Sequence, residues 1–291
     1  MGQIVPLKVV FDTNAFSPTS FPLLDKSPMR ARCREGRILP IYGHVFLEET
    51  FRAYPQEDKR ELLVRQWLPF VAETVHRLPN DFLGIFHAEL VQGYGPKTNI
   101  WLPARKQQKL LAGFPKIPLD GSWKAWDRAQ PALGVEAAKR AAQREVSKGV
   151  RAEFAAWRKM VNYNPKKHGT SRFANYAVGE LEFAGRAWLP DVVKCVRPHA
   201  VTDRWAKNMG YYPYFTTYVV NLLYVAHHAA TKANAPIDIN AQADLNLMTH
   251  LLFADVVVSN EQGFFKTAFD ELWRPQGKIM WTTEQFCNFL E

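Results

Sequence analysis

Val9, Val10 and Phe11 run straight into the polar turn Asp12-Thr13-Asn14. An unbroken apolar run of this kind reads as a strand covered on both faces, which belongs in a parallel sheet flanked by helices. Ligands bind such sheets beyond the carboxyl ends of the strands, so Asp12 stands where chemistry is usually done. An Asp in this position can also simply form the turn or cap a helix. Near the other end the chain repeats the pattern: Val256-Val257-Val258 runs into Ser259-Asn260-Glu261.

Between these two stretches the order of elements is readable. Residues 37–42 form a second strand, which Pro40 confines to a sheet edge or a strand end. Gly43 opens a helix on which Glu49 follows Val45 by four residues and Phe46 by three, so its carboxylate shares their inward face. Glu48 is set to pair with Arg52 in solvent. Residues 56–78 carry Leu62, Leu63, Trp67, Phe70, Val71 and Val75 at helical spacing, with a kink expected at Pro69. Residues 79–122 are rich in Gly and Pro and read as loop, the start of an insertion.

After Pro131 comes a helix whose apolar stripe runs from Ala138 to Val161, with Arg140, Arg144, Lys148 and Arg151 on the opposite face. A basic loop with Lys166 and Lys167 follows. Residues 211–232 form a buried apolar helix that falls short of a membrane span, and its adjacent His227 and His228 diverge, which suits structural histidines better than a metal pair. Asp244 stands near the start of another apolar helix. A last strand at 278–281 leads to Thr282, placed to cap a helix over 283–290.

Net charge sharpens this picture. The chain carries +9, yet residues 97–172 hold 17 Lys and Arg against 5 Asp and Glu, a local +12 that leaves the remaining 20 against 23 at −3. One block supplies the whole positive excess, which points to a polyanion partner. Three cysteines, Cys33, Cys195 and Cys287, with no close pairing argue against a disulfide framework and a thiolate zinc site, and suit a reducing, cytoplasmic setting. No targeting or membrane segment is read in residues 1–6 or beyond.

Asp12 and Glu261 just past strands, Asp244 at a helix start and Glu49 on an inward helix face can converge at one sheet edge. Clustered carboxylates repel unless they share protons or hold cations. Hard ions such as Mg²⁺ or Mn²⁺ take all-oxygen ligands and activate water for phosphodiester hydrolysis. Asn14 and Ser259 are placed to orient the carboxylates.

In order and spacing these motifs resemble the PIN domain nucleases. The strand-Asp-Thr-Asn opening matches residues 9–14, the helix-borne acid matches Glu49, and the Asp before an apolar helix matches Asp244. The strand ending in Ser-x-acid matches Ser259-Asn260-Glu261, and the closing strand with Thr, acid and Phe matches Trp281 to Phe286.

The resemblance implies a PIN-like three-layer α/β sandwich with a central, mainly parallel sheet. That core is built from residues 1–78 and 237–291 and interrupted by a largely helical basic insertion over 79–236. It further implies a metal-dependent endonuclease, favouring RNA over DNA, with Asp12, Glu49, Asp244 and Glu261 as catalytic metal ligands for Mg²⁺ or Mn²⁺. Arg140, Arg144, Lys148, Arg151, Lys166 and Lys167 are expected to bind the nucleic acid.

Two departures bear on this. Glu261 stands where the family usually has Asp, one methylene further out, and the basic insertion is foreign to compact members. The alternative is therefore a nucleic-acid-binding protein with an impaired site. An aspartyl phosphotransferase is disfavoured, because Asn14 occupies the position of its second Asp.

Overall fold

A computed structural model describes residues 5–51, 57–113, 159–160, 172–193, 198–231 and 241–291. Their chain divides into two compact units. The first comprises the described residues up to Asn80, those from Ile100 to Gly113 and His250–Glu291; the second comprises Asp81–Asn99 and the described residues from 159 to Thr249.

The first unit is built on a sheet of four parallel strands, β1 (Leu7–Phe11), β2 (Ile38–Ile41), β3 (Val256–Val258) and β4 (Ile279–Trp281), in the order β2-β1-β3-β4. Val9, Val10 and Phe11 of β1 and all three valines of β3 are fully buried, as strands covered on both faces must be. The chain is thus α/β with an all-parallel sheet, compatible with a three-layer sandwich. Among the described strands β2 is at an edge, where Pro40 lies opposite Val9. An edge tolerates the missing N–H, which would break a ladder in the sheet interior.

Strand order positions the site. The chain leaves β1 towards β2 on one side, then crosses to β3 on the other, so the connections diverge where β1 and β3 lie side by side. A crevice opens at the carboxyl end of such a switch point. Phe11 is register partner to Val258, which puts Asp12 and Ser259 at one level above it.

Aromatic rings lock this edge from below. Phe11 stacks on Tyr42 at 5.7 Å and meets Phe286 edge-on at 5.4 Å, while Phe16 touches Phe21, Tyr42, Phe46 and Phe70. All of these are fully buried. Gly43, between β2 and the helix His44–Phe51, is required by packing: a Cβ there would fall 2.3 Å from the His250 ring.

The kink expected at Pro69 takes the form of a π turn. The helix Glu57–Leu62 widens over Leu63–Trp67, with Leu68 N–H reaching Leu63 O, before continuing as Leu68–Thr74. Pro69 has no N–H to give and its ring crowds the carbonyl four residues back, which the wider turn relieves.

The loop expected over 79–122 is corrected in its described part. Phe82–Phe86 and Ala104–Gly113 are helices, the first capped by Asp81, whose Oδ1 accepts Gly84 N–H at 2.7 Å. Pro79, Gly93, Gly95, Pro96 and Pro103 fall outside these two helices, and Gly84 is accommodated inside the first. The division into units also differs from the expected boundaries at 78/79 and 236/237: it falls at Asn80/Asp81 and Thr249/His250, and residues 100–113 rejoin the sheet unit.

The second unit is helical, with the long helices Phe173–Val193 and Pro213–Thr231, the shorter Pro198–Lys207 and Ala241–Met248, and Phe82–Phe86 with the π turn His87–Val91. Fully buried Glu89 caps Pro213–Thr231 from 125 positions away: its two carboxylate oxygens accept Tyr214 N–H at 2.9 Å and Phe215 N–H at 2.8 Å. These N–H groups have no partner within the helix and lie at its positive dipole end. Asn221 Nδ2 joins that helix to Leu245 O and Thr249 Oγ1. His227 and His228 are buried, His227 against the rings of Phe173 and Tyr176. No helix of the described residues is long and apolar enough to cross a membrane.

Candidate active site at the β1 and β3 switch point

Beyond β1 the chain turns at once into a 3₁₀ helix, Thr13–Phe16. Asp12 itself still belongs to the sheet, since its N–H donates to Val258 O. Its side chain is 6% exposed. Ser259 Oγ–H donates to Asp12 Oδ2 at 2.6 Å, and Ser259 Oγ accepts Asn14 Nδ2–H at 3.2 Å and Glu261 N–H at 3.1 Å. A hydroxyl has one proton and two lone pairs, so this set saturates Ser259 and commits its proton to Asp12. The Asn14 amide is oriented in turn, because its Oδ1 accepts Asn260 N–H at 2.9 Å.

On the other oxygen of Asp12, Thr13 provides the link to Glu49. Thr13 Oγ1 lies 3.4 Å from Asp12 Oδ1 and donates to Glu49 Oε2 at 3.0 Å. The Thr13 hydroxyl thus donates to Glu49 and stands beside Oδ1 of Asp12. Burial pushes the Asp12 carboxyl up to about 6, and the charge of Glu49 adds to the push; the Ser259 hydroxyl and the backbone N–H groups of Thr13 and Asn14 pull the other way. At neutral pH Asp12 is therefore mostly ionised, with burial opposing its charge.

Asn260 fastens the frame around this pair. Its Nδ2 lies 2.9 Å from Ser20 Oγ and 2.9 Å from Thr283 Oγ1, and its Oδ1 accepts Thr283 N–H at 3.0 Å. Thr283 opens the helix Thr283–Leu290, which begins with a complete capping box between Thr282 and Gln285.

Of the residues expected from sequence, the structure brings together Asp12, Glu49, Asn14 and Ser259. Glu261 is tied to the group through its backbone N–H on Ser259. Asp244 lies in the first turn of Ala241–Met248, in the second unit. Arg140, Arg144, Lys148, Arg151, Lys166 and Lys167 fall outside the described residues. Thr13 and Asn260 were missed. Their signal was position alone, next to Asp12 and Ser259 in the two strand-end turns.

Among the described residues no group of three or more His, Cys, Asp and Glu side chains is placed to hold a metal ion. The Asp12 and Glu49 pair nevertheless fits a hard divalent cation in its chemistry. Its donors are all oxygen, and the charge of Glu49 adds to the rise that burial imposes on the Asp12 carboxyl, as a neighbouring acid does. Mg²⁺ in particular is commonly held by one or two carboxylates, with water and substrate phosphate completing the shell.

Fold and site together define an α/β protein in which buried Asp12 is linked through Thr13 to half-buried Glu49 at the switch point of a parallel sheet. Comparison of the chain with protein-family models, with curated proteins and with solved structures found no match.

Proposed function

We propose that this protein is a PIN-like nuclease that hydrolyses phosphodiester bonds with the help of Mg²⁺ or Mn²⁺. The observation that carries the reading is the Asp12-Thr13-Glu49 link at the strand switch point, where one hydroxyl bridges a buried carboxylate and a second acid. Asp12 and Glu49 would hold the ion. When bound, a divalent ion supplies Lewis-acid polarisation of phosphate and activation of water.

The chain's own residues prepare that chemistry. Ser259 holds Asp12 Oδ2, which leaves Oδ1 on the side of Thr13 and Glu49. Asn14 and Asn260 keep Ser259 and the Glu261 turn in place. Asp244 and the Glu261 carboxylate enter through the sequence resemblance alone, as does the preference for RNA over DNA. The basic stretch over 97–172 supports a polyanionic substrate.

A second reading, nucleic-acid binding without turnover, is motivated by Glu261 in the place of the family's usual Asp and by the basic stretch over 97–172. The two separate in a cleavage assay. Purified protein is incubated with RNA and DNA panels in Mn²⁺, Mg²⁺ or a chelator, beside Asp12→Asn. Metal-dependent cleavage absent from Asp12→Asn supports the nuclease; retained binding with no cleavage under any metal supports the second reading.

A further inference from the structure

The second unit carries an open cleft of about 490 Å³ between the end of the helix Pro198–Lys207 and the 3₁₀ turn Met209–Tyr211. Pockets of this volume accommodate small organic ligands. Arg204 and Lys207 line it one helical turn apart, with Asn208 and Tyr211 beside them. The acid in the lining, Asp203, is engaged by Arg186 at 2.7 Å, which is itself shared with Glu182. Asp203 also feels the charge of Lys207, and the two cations Arg204 and Lys207 outnumber this one acid in the lining and leave the cleft net positive.

Two of these side chains are held in place. Arg204 Nη2 donates to Leu90 O at 2.6 Å, which orients a guanidinium that has five N–H donors in all. The Tyr211 ring is pressed against the backbone of Gly95, where φ is +50° and a Cβ would fall 2.1 Å from a ring carbon. It also meets Tyr212 edge-on at 5.2 Å. Even so, Tyr211 remains 39% exposed. A pre-positioned ring beside two cations is the combination that takes a base by stacking and its phosphate by charge, and the Asn208 amide can both donate to and accept from a base edge.

We propose that this cleft binds one nucleotide of a single-stranded nucleic acid, with the base on Tyr211 and the adjoining phosphate on Arg204 and Lys207. Binding here involves no hydrolysis, so it stands or falls apart from the cleavage chemistry of the sheet unit.

The test uses the full chain in EDTA with a labelled RNA trinucleotide containing 4-thiouridine. Irradiation of the parent complex should crosslink the tryptic peptide 208–232, which contains Tyr211. Tyr211→Leu should weaken binding about tenfold or more and leave its salt dependence unchanged, whereas Tyr211→Phe should bind as the parent does. Lys207→Gln should flatten the slope of log affinity against log salt by about 0.7. Crosslinks confined to other peptides overturn the proposal, and because they are read on the parent chain they decide it even if Tyr211→Leu fails to fold. Tighter binding of a phosphopeptide than of the trinucleotide, unaffected by Tyr211→Leu, overturns it in favour of a protein ligand.

Discussion

Ser259 and Asp12 lie 247 positions apart, yet the Ser259 hydroxyl donates to Asp12 Oδ2 at 2.6 Å. Their meeting follows from the pairing of Phe11 with Val258: each residue is the first beyond its strand, and parallel register puts both at one level. The bond holds a buried carboxylate whose surroundings otherwise favour its protonated form.

That tension predicts how Asp12→Asn behaves. The Asp12 carboxyl stands at about 6 in the fold against an ordinary 3.8, so between those values the folded state holds more proton than the unfolded state. Stability from this group is therefore full below about pH 4 and falls as pH rises through 6. The rise corresponds to a stability change on the order of 3 kcal/mol. Thermal melts should show Asp12→Asn more stable than the parent at pH 7.5, with the gap closing towards pH 4. A mutant equally destabilised at both pH values would contradict this.

Thr13→Val removes the hydroxyl shared by Asp12 and Glu49 while keeping the side-chain shape. Cleavage should fall roughly 10- to 100-fold, the effect of losing about 1.5 to 3 kcal/mol of charge-assisted hydrogen bonding. The same loss should lower the melting temperature by roughly a few degrees, so cleavage is compared well below the melt. Activity equal to that of the parent would show that the bridge does not organise the site.

Asn260→Ala tests the frame instead of the chemistry. It removes the contacts with Ser20 and Thr283 and strands the Thr283 N–H at the start of the last helix. Urea unfolding should register a loss of roughly 2–4 kcal/mol, from hydrogen bonds worth about 1 kcal/mol each and one unsatisfied donor. A loss under 0.5 kcal/mol would mean the turn holds without it.

What the sequence made legible were features with short-range causes. The apolar run before Asp12, the helical phase of Glu49, Pro40 at a sheet edge and Thr282 as a cap each depend on neighbours within a few residues. What stayed hidden depends on distant partners. Nothing near Glu89 announces that it caps a helix beginning at Pro213, and nothing near Asn260 names Ser20 or Thr283. The π turn before Pro69 escaped for another reason: proline signals a disturbed helix but not which backbone bonds will rearrange. The stretch after Pro79 was misread because Gly and Pro outweighed the Asp81 cap.

Asp244 and Glu261 separate resemblance from geometry. If the resemblance carries the full acid set, Asp244→Asn and Glu261→Gln should each abolish cleavage with unchanged melting temperatures. Full activity in either variant removes that residue and confines the chemistry to the Asp12 and Glu49 pair.

The central claim, that this pair holds a divalent ion, is tested most directly by titrating Mn²⁺ into the protein at pH 6 while following proton release by calorimetry in buffers of different ionisation enthalpy. Asp12 is about half protonated there, so binding should expel a fraction of a proton per ion. Asp12→Asn should lose both the binding and the release. Mn²⁺ binding that persists in Asp12→Asn and in Glu49→Gln, or no binding by the parent, would contradict the account.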